Sequence, residues 1–140
     1  MTWMFDTDIM IHLINRKPGY ERIARRMSGR SPGELRLSAL TVAELRFGAA
    51  NGDSRKENEA ALEELLGLFE LEDLPCEAAK DLAEIKIALL SRGKPIGSYD
   101  MLIAAHARHI SATVVTNNER EFRRVPGLTV ENWLKSGVRT

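Results

Sequence analysis

Cysteine, proline and aromatic residues are all scarce in this 140-residue chain. It has one cysteine, Cys76, and five prolines, and aromatic residues make up 6% of the sequence. A single cysteine cannot build a disulfide framework, which indicates a reducing, intracellular environment, and we expect Cys76 to be a small, partly buried residue. With 44% hydrophobic and 29% charged residues, the composition excludes collagen-like, disordered and coiled-coil proteins.

The chain also has no excess of charge. Lys and Arg number 20, as do Asp and Glu, so the net charge is zero and a uniformly basic nucleic-acid binder is disfavoured. The apolar N-terminus contains Asp6 and Asp8 and has neither a basic start nor a small-residue cleavage site, unlike a signal peptide or membrane span. We therefore expect a cytoplasmic protein that folds as one domain over 1–140.

Hydrophobic periodicity predicts strands that alternate with helices. Strands are predicted at 1–5, 35–39, 69–74, 113–115 and 128–130, and helices at 9–17, 20–27, 42–50, 58–68, 77–91 and 99–109, with a short helix ending at Phe122. Thr41 and Glu44 have the form of a capping box, and Ser98 suits an N-cap. The alternation favours an α/β sandwich, with helices on both faces of a mainly parallel sheet.

Polar residues follow the predicted strands, at the point where each strand ends. In a parallel sheet the ligand crevice lies beyond the carboxyl ends of the strands, so we expect these side chains to converge. They are Asp6, Asp8, Glu44, Asn117, Asn118, Glu119 and Glu121, with Asp100 entering from the start of another helix.

Four of these carboxylates come from four distant segments. Two unit charges about 4 Å apart repel by roughly 4 kcal/mol at an effective dielectric of 20, so such a cluster must protonate, find basic partners or hold a cation. Oxygen ligands without cysteine favour Mg²⁺ or Mn²⁺, which can activate water for attack on a phosphodiester. Each carboxylate also has a purely structural interpretation, as a turn residue, a cap or a partner of a helix dipole. The four are Asp6, Glu44, Asp100 and Glu121.

Longer motifs surround these residues: FDTDI at 5–9, TVAELRFG at 41–48, PIGSYDMLIAAHA at 95–107 and VTNNEREF at 115–122. In order and spacing they resemble the VapC ribonuclease toxins of the PIN-domain family, and the resemblance runs from residue 1 to residue 133. It implies a PIN-like three-layer α/β/α sandwich and a Mg²⁺-dependent endoribonuclease, with Mn²⁺ as the other ion. The segments at 95–100 and 116–118 look closest to the branch that cuts initiator tRNA in its anticodon loop.

The resemblance also implies roles for individual residues. Asp6, Glu44 and Asp100 match the acidic residues that bind the metal in the family.

The fourth acidic position is less sharply defined, because the terminal motif varies. Glu121 matches it best, and Asn118 and Glu119 are neighbours able to share the role, while Thr116 matches a supporting hydroxyl residue. Asp8 stands where the family usually has Asn. We expect Asp8 to cap the following helix, with a water-mediated metal contact as the alternative.

The resemblance further implies a homodimer and a VapB-like antitoxin that forms a hetero-oligomer with the toxin. The antitoxin's C-terminal segment wraps the toxin and often places an Arg among the carboxylates, where its charge would relieve their repulsion. Apolar residues of the early helices are candidates for that groove, with plain core packing as the alternative for each. They are Ile11, Leu13, Ile14, Leu45 and Phe47.

The zero net charge conceals an uneven distribution. From 16 to 36 seven basic residues oppose two acidic ones, and from 53 to 73 eight acidic residues oppose two basic ones. Because an RNA nuclease must neutralise backbone phosphates, the basic residues near the motifs are predicted RNA contacts, with solvated helix faces as the alternative. They are Arg22, Arg25, Arg26 and Arg120.

Three further interpretations compete for the same residues. The chain would be a catalytically silent PIN-like module if it bound RNA or a partner without cutting. A phosphoacceptor receiver domain is disfavoured, because receivers carry the acceptor on a middle strand and Asp6 ends the first. His106 and His109 lie three apart on one predicted helix, but a third metal ligand is not evident, so packing or solvent-facing roles are favoured.

Overall fold

The computed structural model describes residues 1–135, and the last five residues of the predicted domain, 136–140, lie outside the described residues. Five strands form one sheet in the order β3-β2-β1-β4-β5, and every neighbouring pair is parallel. The mainly parallel sheet predicted from the sequence is therefore confirmed, with no antiparallel pair in the sheet of the described chain. The strands are β1 (Trp3–Phe5), β2 (Leu35–Ser38), β3 (Glu70–Glu72), β4 (Thr113–Val115) and β5 (Val130–Glu131).

In the described part of the chain, seven helices connect or follow these strands. The helix predicted at 20–27 has its predicted bounds, whereas the last strand lies one to two residues later than predicted. Within residues 1–135 no helix combines the length and the hydropathy needed to cross a bilayer. The helices are α1 (Thr7–Ile14), α2 (Tyr20–Met27), α3 (Ala39–Asn51), α4 (Arg55–Leu66), α5 (Ala78–Ser91), α6 (Ser98–His109) and α7 (Glu119–Phe122).

The sheet separates two hydrophobic layers, because successive side chains of a strand point to opposite faces. Trp3 and Phe5 of β1 pack into one core with α1, α2 and α4, while Met4 packs into the other with α5 and α6. Val115 and Val114 of β4 divide in the same way. The result is the three-layer α/β/α sandwich that the resemblance implied.

An aromatic cluster packs around the end of β1, in the core that contains Trp3 and Phe5. The ring of Phe5 lies 5.1 Å from that of Phe69 and 5.2 Å from that of Trp133, both edge to face. Two guanidinium groups cover the cluster, that of Arg26 at 4.6 Å from the Trp133 ring and that of Arg30 at 4.3 Å from the Trp3 ring. Since Phe5 immediately precedes Asp6, this packing sets where the first carboxylate stands.

The helix starts differ from three of the predicted caps. Helix α3 begins directly after β2, with Ser38 as its N-cap accepting a hydrogen bond from the Leu40 amide at 3.2 Å. The predicted capping box of Thr41 and Glu44 is therefore wrong, since both residues lie inside the helix.

The other two corrections concern α1 and α6. Asp6 is the N-cap of α1, and Asp8 sits in its exposed first turn, so the prediction that Asp8 caps this helix is wrong. Gly97 holds the N-cap position of α6 without a side-chain bond, so Ser98 is not the cap. Cys76 is exposed in the loop before α5, not partly buried as expected.

Candidate active site

The strand order places a crevice between β1 and β4. From β1 the chain proceeds outward to β2 and β3, and it then crosses back through α5 and α6 to place β4 on the other side of β1. At such a topological switch point the loops leave the two strands in opposite directions and open a ligand crevice. Phe5 pairs with Val115 at the carboxyl ends of these strands, so Asp6 and Thr116 follow side by side.

Asp6 lies at the bottom of this crevice and is 1% exposed. Its Oδ1 accepts a hydrogen bond from the Ile9 amide at 2.8 Å, and its Oδ2 accepts one from the Thr116 hydroxyl at 2.5 Å. Burial raises the pKa of Asp6 to about 7, an effect that the two hydrogen bonds oppose and the charges of Asp8 and Asp100 reinforce. The predicted supporting role of Thr116 thus takes the form of a direct bond to Asp6.

Glu44 reaches the crevice from α3, the helix that follows β2. Its Oε1 accepts a hydrogen bond from the Thr7 hydroxyl at 2.5 Å, and the same hydroxyl lies 3.5 Å from that of Thr41. Thr7 was not among the predicted site residues. Its position beside Asp6 at a strand end was the available signal, because a hydroxyl there can hold a carboxylate arriving from another element.

Asp100 enters from the first turn of α6 and is partly exposed. Burial, followed by the charges of Asp8, Glu121 and Glu44 in that order, raises the pKa of Asp100 to about 6. Asp100 is therefore within electrostatic reach of the predicted acidic residues at the other helices, namely Asp6, Asp8, Glu44 and Glu121. This is the convergence expected from the strand ends.

These five carboxylates have no basic counterpart in the structure. Within residues 1–135 no Lys, Arg or His forms an ion pair with any of them, although other carboxylates of the chain form such pairs. In the same range no three potential ligands already surround a single point at metal-binding distance. The donor set itself suits a hard cation, because it consists of oxygen atoms and carries repulsion that a cation would relieve. The five are Asp6, Asp8, Glu44, Asp100 and Glu121.

Glu119 faces a different environment from Glu121. Its carboxylate accepts hydrogen bonds from Asn132 and Arg123 and pairs with Lys135 at 2.7 Å. The Lys135 contact, together with those of Asn132 and Arg123, lowers the pKa of Glu119 to about 2. Glu121, by contrast, contributes negative charge at Asp100. Asn118 donates its backbone N–H to the Thr116 hydroxyl at 2.8 Å, which places it next to the Asp6 contact.

The four predicted RNA-contacting arginines divide into two groups. Arg26 stacks on Trp133 and pairs with Glu131 at 3.4 Å, so packing within the protein accounts for it. Arg22 donates to the backbone carbonyl of Leu134 at 2.8 Å. Arg25 and Arg120 are exposed and form no ion pair within residues 1–135.

The predicted antitoxin contacts also divide by exposure. Ile11, Ile14 and Phe47 are exposed, by 38%, 39% and 69%, whereas Leu45 is buried in the core, which is the alternative given for it. Leu13 lines a groove of about 500 Å³ between α1, α2 and α4. The other apolar residues of that groove are Tyr20, Ala24, Met27, Leu35, Leu65 and Leu68.

The two histidines of α6 bind separate partners. His106 is fully buried and its Nδ1 lies 2.9 Å from the Ser38 hydroxyl, while His109 Nδ1 lies 3.0 Å from Asp81. Burial lowers the pKa of His106, so it is neutral at pH 7. Of the packing or solvent-facing roles predicted for these residues, His106 packs in the core and His109 is exposed.

Comparison with known proteins identifies the family. The family model of the PIN domain matches residues 3–128. Ribonuclease VapC2 of Haemophilus influenzae is 38% identical, over 96% of this chain and 99% of its own. This chain belongs to the VapC ribonucleases of the PIN-domain family. Another VapC relative, the tRNA(fMet)-specific endonuclease VapC of Shigella flexneri, is 35% identical over 95% of this chain and 98% of its own.

Solved VapC structures share the fold. The crystal structure of DNA-bound VapBC from Salmonella typhimurium superposes with a TM-score of 0.85 and 35% identity, and covers 95% of this chain and 98% of that one. The VapC resemblance and the PIN fold inferred from the sequence motifs are therefore confirmed.

Proposed function

We propose that this protein is the toxin of a type II toxin–antitoxin system, a metal-dependent endoribonuclease that hydrolyses phosphodiester bonds of tRNA. One observation carries the proposal: at the switch point of the sheet four carboxylates lie within electrostatic reach of Asp100, and none of the five has a basic partner within residues 1–135. VapC relatives with ribonuclease and endonuclease names support the reaction class. We also propose that 1–140 form one domain, in the cytoplasm.

Asp6, Asp100 and Glu44 are the proposed ligands for Mg²⁺, with Mn²⁺ as the alternative ion. A divalent cation held there would neutralise phosphate charge and make a water molecule more acidic. Thr116 and Thr7 hold Asp6 and Glu44 in fixed orientations through the two hydroxyl bonds. Such support matters because catalytic groups must keep their geometry within fractions of an ångström.

Glu121 and Asp8 complete the proposed centre. Both place negative charge next to Asp100, where a carboxylate can accept the proton that an attacking water loses. The water oxygen forms a bond to phosphorus, the bond to the leaving ribose oxygen breaks, and that oxygen takes up a proton. One strand end therefore keeps the phosphate and the other ends in a hydroxyl.

The proposed substrate is initiator tRNA, cut in the anticodon loop. Support comes from the tRNA(fMet)-specific name of the Shigella relative and from the motifs around 95–100 and 116–118. Of the four predicted arginines, Arg120, one residue from Glu121, and Arg25 are exposed and available for the phosphates of the strand. Arg22 remains a further proposed contact, and Arg26 is the weakest of the four because Trp133 and Glu131 already hold it.

The proposed partner is a VapB-like antitoxin, in a hetero-oligomer built on a toxin homodimer. The groove lined by Leu13, Tyr20 and Met27 offers an apolar seat for an amphipathic segment of the antitoxin. A basic side chain of that segment would find unpaired carboxylates in the crevice. A VapBC complex among the similar solved structures supports this assembly.

Incubation of the purified protein with total tRNA and Mg²⁺, with and without EDTA, tests the proposal. We expect cleavage that EDTA abolishes, and loss of at least about 100-fold in rate for Asp6→Asn and for Asp100→Asn, since each removes a charge from the cation site. Asp53→Asn, an exposed aspartate outside the crevice, is the matched control.

Two results would contradict the proposal. Wild-type rates in Asp6→Asn or Asp100→Asn would show that the site is assigned wrongly. RNA binding without any metal-sensitive cleavage would instead identify a catalytically silent PIN-like module.

A further inference from the structure

A second cleft, of about 380 Å³, opens beside the carboxylate crevice. It lies between α1 with its following turn and the loop that joins β4 to α7. Asp8 lines both the cleft and the carboxylate cluster, and Asn117 directly follows Thr116, which binds Asp6. A strand whose phosphate sits at the carboxylates therefore runs into this cleft with its next nucleotide. We call it the amide cleft; its lining residues are Asp8, Ile11, His12, Lys17, Asn117 and Asn118.

The two asparagines of the amide cleft keep hydrogen-bonding capacity that the fold does not use. Asn118 occupies the N-cap position of α7, yet its side chain makes no capping bond, and it has no side-chain partner within residues 1–135. Asn117 accepts a bond from Asn132 through Oδ1 at 3.2 Å, which leaves its own amide hydrogens available. An asparagine at an N-cap ordinarily bonds the first turn of its helix, so the partly buried Asn118 amide is available to bind a ligand.

The remaining walls of the amide cleft are cationic and apolar. Lys17 is exposed and forms no ion pair with an acidic residue of the described chain. The carbonyl of Pro18 lies 2.8 Å from His12 Nε2; because a carbonyl only accepts, that nitrogen carries the proton and the ring is held in place. Ile11 adds an apolar surface that is 38% exposed.

We propose that the amide cleft binds one unpaired ribonucleotide of the substrate strand, adjacent to the phosphate that is cut. Lys17 contacts the backbone phosphate, the amides of Asn117 and Asn118 bind the edge of the base, and Ile11 packs against its ring. An asparagine amide offers a donor and an acceptor together, the pattern with which proteins distinguish one base edge from another. The assignment rests on the proposed function, because it takes the carboxylates as the cutting centre.

Two properties of the cleft favour a single unpaired nucleotide. Its volume falls near the lower end of small-ligand sites, about 300–1,000 Å³, so it takes one base and not a stacked pair. In an A-form duplex the Watson–Crick edges pair with the partner strand and the major groove is too deep and narrow for side chains, whereas unpaired loop bases can enter a cleft edge first. The amide cleft thus selects loop RNA over helical RNA.

Separate variants test the phosphate contact and the base contact. Lys17→Ala should raise KM about tenfold for all sequences and reduce the salt dependence of KM, because it removes a phosphate contact. Asn118→Ala should raise KM by a similar factor, but only for RNA that carries the preferred base. In a random-sequence RNA pool, the variant should therefore show a weaker base preference at one position of the cleavage site. Lys17→Ala should keep kcat within about twofold of wild type.

Lys86→Ala and Asn58→Ala are the matched controls, since both residues are exposed on helices away from the amide cleft. The assignment is overturned if Asn118→Ala and Asn58→Ala cut the pool at the same sites with the same KM. It is also overturned if Lys17→Ala and Lys86→Ala have the same salt dependence.

Failure of the proposed function can be distinguished from failure of the cleft assignment. If the wild type cuts no RNA with Mg²⁺, the proposed function is wrong, and binding of short single-stranded RNA to the uncut protein then decides the cleft separately. In that case, the affinity for RNA is measured by fluorescence anisotropy. A lower affinity of Asn118→Ala than of Asn58→Ala supports a nucleotide site, and equal affinities reject it.

Discussion

The Thr116 hydroxyl donates a hydrogen bond of 2.5 Å to Oδ2 of Asp6. This bond joins the carboxyl ends of β4 and β1, the two strands between which the strand order reverses. The acceptor is the carboxyl group of Asp6, and burial of this group disfavours its ionised form. The Thr116 hydrogen bond therefore lowers the pKa of Asp6 that burial raises, since a hydrogen bond to a carboxylate favours its charged form.

Replacing Thr116 should weaken metal binding most strongly at acidic pH. Thr116→Val removes the hydroxyl while keeping the side-chain shape, so the pKa of Asp6 should rise above its value of about 7. Because a ligand carboxylate has to be deprotonated, we expect a larger loss of Mn²⁺ affinity at pH 6 than at pH 8.5, measured by titration calorimetry. Thr116→Ser, which retains the hydroxyl, should bind Mn²⁺ like the wild type. An equal loss at both pH values would contradict this account.

Asp6→Asn should stabilise the metal-free protein at neutral and alkaline pH. The pKa of Asp6 rises from 3.8 to about 7 on folding, so the folded protein binds this proton more tightly than the unfolded chain. The cost of the ionised carboxylate is therefore absent below about pH 4, grows as the pH rises towards 7 and is complete above it. We expect a gain of up to about 4 kcal/mol in unfolding free energy at pH 8 and almost none at pH 4.

Urea denaturation in EDTA at the two pH values measures this gain. Asp53→Asn, on an exposed loop, should show no such pH dependence. A variant that is less stable than wild type at pH 8 would rule out burial of an uncompensated charge at this position.

Replacing the two glutamates of α7 should have different effects on kcat. Glu121→Gln removes a charge beside Asp100 and should lower kcat by about 10-fold or more, the scale of an acid–base contribution. Glu119→Gln should leave kcat unchanged, because that carboxylate is held by Asn132, Arg123 and Lys135. Single-turnover cleavage of one tRNA substrate measures both. A reversed pattern would transfer the fourth acidic position to Glu119.

Ser38 and His106 should be energetically coupled. Ser38→Ala removes the N-cap of α3, at about 1 kcal/mol, and leaves buried Nδ1 of His106 without its partner, at roughly 1–3 kcal/mol more. In Ser38→Ala with His106→Leu that second cost is absent, so the double variant should be more stable than the sum of the single changes predicts. Thermal unfolding of the four proteins gives the coupling, and strict additivity would show that the contact contributes nothing.

The pattern of alternating strands and helices was sufficient to predict the layers and the convergence of the acidic residues. Strand ends in a parallel sheet share one edge, so the residues that follow β1 and β4 meet whatever the details of packing. The family motifs added which acidic residues matter. Both inferences depend on order along the chain, which a sequence displays directly.

The caps could not be predicted because two residue sets satisfied the same local rule. Ser38 and Thr41 both suit an N-cap, and the structure uses Ser38, whose hydroxyl also contacts His106 of α6. Asp6 and Asp8 competed in the same way for α1. In each case a contact from another element settles what the local sequence leaves open.

The role of Arg26 was hidden for a related reason. Charge density along 16–36 indicated a basic surface, but the Arg26 guanidinium lies over the ring of Trp133, which is distant in sequence. The amide cleft was missed for the same cause, because Lys17 and Asn118 become neighbours only through the pairing of β1 with β4.

The five carboxylates are distributed from residue 6 to residue 121, across four helices of the chain. During synthesis on the ribosome Asp6 emerges early, but its partner on α7 is translated only when most of the protein has been made. A nascent or truncated chain therefore holds scattered acidic residues and no cutting centre. Any cleavage activity that depends on this cluster is therefore expected only after residue 121 has been translated and the chain has folded.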